Sequence, residues 1–146
     1  MPEEAVDSPP FRILPAINAR NGPFWSSGRD GVLRFQRCQD CGYYLHPPGV
    51  VCPRCWSKKL EYEPVSGRAT VVTFTINHQP WMPVPELPFA LAIVGIEEQD
   101  GLRLTTNIVN CKLGDVHIGM PVRVCFEAHP DEEIWLPMFE PDAAEG

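Results

Sequence analysis

From residue 33 onward, apolar and polar residues mostly alternate along the chain. That period belongs to strands half-buried on one face. Leu33-Arg-Phe-Gln-Arg37 predicts a strand over 33–37, and a companion is expected at 60–62. Five more follow, at 69–76, 89–96, 102–109, 122–127 and 134–139. In 69–76 the pattern puts Val72, Phe74 and Ile76 on one face, opposite Val71, Thr73 and Thr75. The stretch 89–96 is apolar on both faces and predicts a central strand. In 122–127, Val122, Val124 and Phe126 face inward, with Arg123, Cys125 and Glu127 opposite. Pro137 interrupts 134–139, which therefore predicts an edge strand. Gln99-Asp-Gly101 is a hairpin signal, and His117-Ile-Gly-Met-Pro121 a turn into the next strand. About five strands in some 75 residues, without intervening helices, predict a small β-barrel, closed or half-open. An OB-fold is the first choice and an SH3-like barrel the second.

Helix has little room. Seventeen prolines and eleven glycines break the chain too often. Asn21-Gly-Pro-Phe-Trp-Ser-Ser-Gly28 alone reads as a short helix, with Asn21 or Gly22 as cap, Pro23 in its first turn, and Gly28 or Gly31 at its end. Before it, residues 1–19 carry Pro2, Pro9, Pro10 and Pro15 and predict an extended arm. Phe11, Ile13, Leu14 and Ile17 give that arm apolar anchors, and with Phe24 and Trp25 they form a candidate partner-binding set, the alternative for Phe24 and Trp25 being to pack on the barrel. The proline-rich loop from Asn77 to Pro88 is the other candidate surface: either a binding face on which His78, Trp81 and Met82 meet a ligand, or a lid over the barrel's own core with His78 capping a turn.

Cysteine spacing changes the picture most. Cys38-Gln-Asp-Cys41 and Cys52-Pro-Arg-Cys55 are two Cys-x-x-Cys pairs separated by ten residues. Two such knuckles facing each other supply four thiolates at tetrahedral angles, the donor set of structural Zn²⁺. Cys38, Cys41, Cys52 and Cys55 are therefore the expected ligands, and four sulfurs leave no open position for catalysis. Gly42 follows the first pair, where a positive φ is expected. His46 lies in the loop between the knuckles and reads as a surface residue. Cys111 and Cys125 read as inert spare thiols. No catalytic constellation emerges from the dispersed histidines.

Charge narrows the partners. The net charge is −7, and residues 127–146 hold seven acidic groups and no Lys or Arg. Residues 29–68 hold seven basic groups against four acidic. That excess is small for a nucleic-acid track, so a nucleic-acid-binding module, stacking bases on Trp56, Tyr62, Phe74 and Trp81, is the alternative reading. No apolar run reaches 18 residues, and the acidic start reads as no export signal. Free thiols then point to the cytoplasm. The expected units are an arm and short helix (1–30), a zinc ribbon (31–64), a barrel (65–140) and an acidic tail (141–146).

Pro23-Phe-Trp25, Arg37-Cys-x-x-Cys-Gly42, Pro47-Pro48, Cys52-Pro-x-Cys55, Val65-Ser-Gly-Arg-Ala-Thr-Val71 and Ile118-Gly-Met-Pro-Val122 occur in this order. Over residues 20–140 the chain resembles the acyl-CoA-associated family long known as domain of unknown function thirty-five. The resemblance implies a rubredoxin-like zinc ribbon joined to an OB-fold. It also implies a non-catalytic subunit that docks on a thiolase-fold aldolase or thiolase and helps form its acyl-CoA site. Steroid side-chain degradation and a hydratase subunit are among the contexts it implies. His78, Trp81 and Met82 would then line a CoA-thioester channel.

Overall fold

The structure is a computed structural model, and it describes residues 12–79 and 87–142. A one-turn helix α1 (Gly22–Trp25) runs into a 3₁₀ turn at Ser27–Asp30. Strands β1 (Arg34–Cys38), β2 (Tyr44–Leu45) and β3 (Leu60–Pro64) form an antiparallel sheet with β1 in the middle. Strands β4 (Arg68–Asn77), β5 (Phe89–Ile96), β6 (Arg103–Ile108), β7 (Pro121–His129) and β8 (Ile134–Pro141) close into a barrel in the order β4-β5-β6-β8-β7. That order, with a parallel β6–β8 contact among antiparallel neighbours, is the OB-fold.

Inward residues of the barrel build most of the core: Ala69, Val71, Ala90, Ala92, Val94, Ile96, Leu104, Ile108, Val122 and Phe139. The expected phase of β4 holds only from Phe74 onward. Val71 pairs with Val94 and Thr73 with Ile93, so Val72 is an extra residue in a bulge. A bulge shifts the alternation by one, which turns Val71 inward in place of Val72. In β5 the buried positions are Ala90, Ala92, Val94 and Ile96, while Leu91 stays exposed.

The edge-strand expectation for β8 is corrected. From Ile134 to Pro141, β8 pairs along its whole length with β7, and it meets β6 at Ile108 and Phe139. Thr106 Oγ1 donates to the Pro137 carbonyl at 2.9 Å. In extended backbone the N and O of one residue point the same way. Proline's missing N–H therefore faces β6, where the seam has already opened, and costs no bond to β7.

Ribbon and barrel are joined by specific contacts. Gln99, in the β5–β6 hairpin, accepts from Tyr44 N–H at 2.8 Å and donates to Tyr44 O at 3.0 Å, treating β2 as a strand would. Val65 N–H donates to Leu33 O at 2.9 Å. Phe24 of α1 lies 5.7 Å from Phe35 of β1, centroid to centroid. The 3₁₀ turn rests on β7 and β8, because a Cβ at Gly28 would sit 2.5 Å from the Phe126 ring.

Gln99→Leu should cost about 1–3 kcal/mol, the penalty for leaving the two backbone groups of nearly buried Tyr44 without partners. Thermal unfolding and hydrogen exchange at Tyr44 check this. Exchange at Tyr44 as slow as in wild type would remove the bridging role.

Candidate metal centre and partner-facing residues

The two knuckles have the same backbone design. Cys38 N–H donates to Tyr43 O and Cys52 N–H to Ser57 O, each at 2.8 Å. Gly42 N–H donates to Cys38 O and Trp56 N–H to Cys52 O, each at 2.9 Å. Both turns need a left-handed residue after the second cysteine: Gly42 has φ +83° and Trp56 φ +69°. For an L-residue that conformation costs roughly 1–2 kcal/mol.

These turns aim four sulfurs at one centre. The Sγ atoms of Cys38, Cys41, Cys52 and Cys55 all lie within 4.8 Å of one another. Cys38–Cys55 and Cys41–Cys52 approach to 3.5 and 3.6 Å. A tetrahedron with Zn–S bonds of about 2.3 Å has edges of about 3.8 Å, so the cage is near the right size. Backbone amides stabilise sulfur charge: Cys41 N–H points at Cys38 Sγ (3.4 Å), and Arg54 N–H at Cys52 Sγ (3.3 Å). The Cys41 amide is the main reason the Cys38 thiol falls to about 6. The Ser57 amide favours the Cys55 thiolate, but the Cys38 sulfur and burial outweigh it and push Cys55 up to about 12. Four thiolates cannot share this space without a cation. A divalent, thiophilic ion fits the donor set, and when bound its role is structural: it ties the two knuckles together.

The remaining thiols differ. Burial, then Glu140, pushes the Cys125 thiol up to about 11, and burial also raises Cys111. Both stay protonated at neutral pH, as inert thiols should.

His46 is corrected from a surface residue. Its ring lies 4.7 Å from Phe24 and 5.2 Å from Phe35, and burial lowers its pKa to about 4, so it is neutral packing material. Phe24 is corrected as well: at 2% exposure it is core and offers a partner no surface. Trp25 packs against that core with part of its ring accessible. Ile13 and Ile17 are exposed, Leu14 is half-buried and His78 is exposed. Phe11, Trp81 and Met82 lie outside the described residues. Of the aromatics considered for base stacking, Tyr62 and Phe74 pack against the core, and the Tyr62 hydroxyl donates to Arg20 O at 2.7 Å.

The structure also shows what fastens the arm. Arg12 Nε and Nη2 donate to the two Glu127 oxygens at 2.8 and 2.9 Å, and His129 Nε2 lies 2.9 Å from Glu127 Oε1. Burial opposes ionisation of Glu127, yet the Arg12 and His129 contacts hold its pKa below the ordinary carboxylate range. This is the nearest approach to an acid–base pair among the described residues, and it is closed: both Glu127 oxygens are engaged and His129 is buried. Separations of 115 residues (Arg12–Glu127) and 55 residues (Gln99–Tyr44) left no local signal for either contact. Beside Arg12, where β6 and β8 part, a groove of about 200 Å³ is lined by Trp25, Leu91, Leu104, Leu136 and Met138.

Comparison with known proteins fits this architecture part by part. Residues 25–61 match the family described as "ChsH2, rubredoxin-like zinc ribbon domain". Residues 62–127 match "ChsH2, C-terminal OB-fold domain". A "DUF35 domain-containing scaffold protein" of Methanothermobacter thermautotrophicus is 32% identical over 102 residues, which cover 68% of this chain and 75% of that protein. The chain belongs to the DUF35 family of ChsH2-type zinc-ribbon/OB-fold proteins. The "3-oxo-4,17-pregnadiene-20-carboxyl-CoA hydratase alpha subunit" of Mycobacterium tuberculosis is 34% identical over 137 residues, or 92% of this chain. The chain spans about two-fifths of the length of that protein and of a "Probable enoyl-CoA hydratase alpha subunit" from Thermomonospora curvata. A solved structure titled "Ltp2-ChsH2(DUF35) aldolase" superposes with a TM-score of 0.77 at 35% identity, covering 88% of this chain and 98% of that one. The DUF35 ribbon thus carries its four cysteines in a rubredoxin-like, metal-binding arrangement.

Cys41→Ser should drop zinc from about one ion per chain to well below half, because three sulfurs and a hydroxyl hold the ion poorly. Cys125→Ser should keep full occupancy. Elemental analysis of both variants checks this, and zinc retained by Cys41→Ser would contradict the assigned ligands.

Proposed function

We propose that this chain is a non-catalytic accessory subunit that docks on a thiolase-fold aldolase or thiolase and helps form its acyl-CoA site. The likeness to the Ltp2-ChsH2(DUF35) aldolase chain, over nearly all of that chain's length, carries this reading. Two features support it. The cysteine cage uses all four of its sulfurs as metal donors, and both oxygens of Glu127 are engaged beside buried His129, so neither group is placed to act on a substrate. Exposed Ile13 follows Arg12, which anchors the arm and lines the groove that Trp25 borders, and exposed Ile17 lies further along the arm, near Gly22 and Ser26. Ile13, Leu14, Ile17 and the free part of Trp25 form the docking strip, to which Phe11 adds through its place in the sequence. A CoA thioester as the bound group, a steroid acyl chain and a hydratase subunit as further partner are readings that the relatives' names support. His78, Trp81 and Met82 are assigned to the acyl channel, completed by the partner.

The test is co-expression with a thiolase-fold subunit of the same organism. Truncation must stop before α1, since Phe24 belongs to the core. A chain beginning at Asn18 should keep its zinc and its barrel but lose the complex on gel filtration, as expected when a few apolar anchors carry most of the binding. In the intact complex, Trp81→Ala should raise KM for long acyl-CoA roughly three- to tenfold over short acyl-CoA, the effect of losing one apolar contact. Turnover by the isolated chain, or full activity with the truncated one, would overturn the reading.

A further inference from the structure

Trp56 is a costly residue. It takes the left-handed turn position that Gly42 fills in the first knuckle, and it is 81% exposed. The chain therefore bears backbone strain to hold an indole in water, and it gains no burial in return. Such strain persists where the surroundings enforce it and is a pointer to function. Here the Trp56 N–H bond to Cys52 O and the cage beside it enforce the turn. Val50 and Val51 are exposed at 61% and 37%. Three of the eight exposed large apolar residues among those described thus fall within positions 50–56.

Charge selects the kind of partner. Arg54, Lys58 and Lys59 are exposed around this tip, with Asp40 held to Ser57 Oγ at 2.6 Å. Taken alone, they suggest an anionic ligand. Four thiolates on a divalent ion, however, leave two surplus negative charges at the same place. These offset the three cations less Asp40, so the loaded tip is close to neutral and lacks the cationic field that nucleic acid or an anionic bilayer requires. An exposed Trp in the same knuckle segment as two exposed valines, with Arg and Lys nearby in the chain, is instead the composition of a protein-interface anchor.

We propose that Trp56, with Val50 and Val51, inserts into an apolar pocket on the thiolase-fold partner subunit, and that acceptor groups rim this pocket for Arg54 and Lys58. The ribbon is then a second docking point, separate from the arm, and the metal serves to present the indole. This rests on the accessory-subunit reading above.

Trp56→Gly separates docking from folding, because it relieves strain instead of adding it. The variant chain should keep one zinc and melt at or above the wild-type temperature, while its Kd for the partner, by titration calorimetry, rises about tenfold or more. Trp56→Phe should recover part of that loss. Val50→Ser, which leaves the turn untouched, should weaken the complex with unchanged zinc. Unaltered affinity in Trp56→Gly with an intact wild-type complex would overturn the docking point and leave the accessory-subunit reading standing. No complex with the wild-type chain would overturn both. Trp56-dependent binding of a poly(dT) oligonucleotide, or a Trp56-dependent dimer of the free chain, with partner affinity unaltered, would also overturn it.

Discussion

Everything in the ribbon depends on four sulfurs being drawn to one point. Its sheet is small: β2 has two residues, and β1 and β3 have five each. Isolated sheets of this size are marginal in water. Tyr44 and Leu45 turn inward, but Val50, Val51 and Trp56 do not, so apolar burial is too slight to hold the loop between the knuckles. A bound divalent ion supplies on the order of 10–16 kcal/mol in comparable zinc peptides. It also sustains a left-handed tryptophan that an unsupported loop would relax.

Once the ribbon is fixed, it is fixed to the barrel. The Gln99–Tyr44 bridge, the Leu33–Val65 bond and the Phe24, Phe35 and His46 rings make ribbon, helix and barrel share one core. Ion pairs Arg12–Glu127 and Arg123–Glu140 occupy the β7–β8 side. Such a platform holds an arm and a knuckle tip at set positions.

Much of this was legible in the sequence. The Cys-x-x-Cys pairs announced the cage because spacing alone nearly determines knuckle geometry. The alternation located all seven of the expected strands, and Gly101 marked the hairpin. Failures came where a tertiary event overrode a local rule. The bulge at Val72 shifted the phase of β4, and Pro137 sat inside a closed barrel because the seam with β6 parts there. His46 and Phe24 were misassigned because polarity and chain position do not reveal a stacking partner across a loop. The arm's anchorage by Arg12 and the Gln99 bridge were invisible for the same reason. The left-handed Trp56 was discoverable by aligning the two knuckles on each other.

X-ray absorption at the zinc edge of the purified chain tests the central claim most directly. The account predicts four sulfur scatterers at about 2.3 Å and no nitrogen or oxygen shell. A mixed shell with a water or imidazole ligand, or a metal-free folded chain with disulfides between the knuckles, would contradict it.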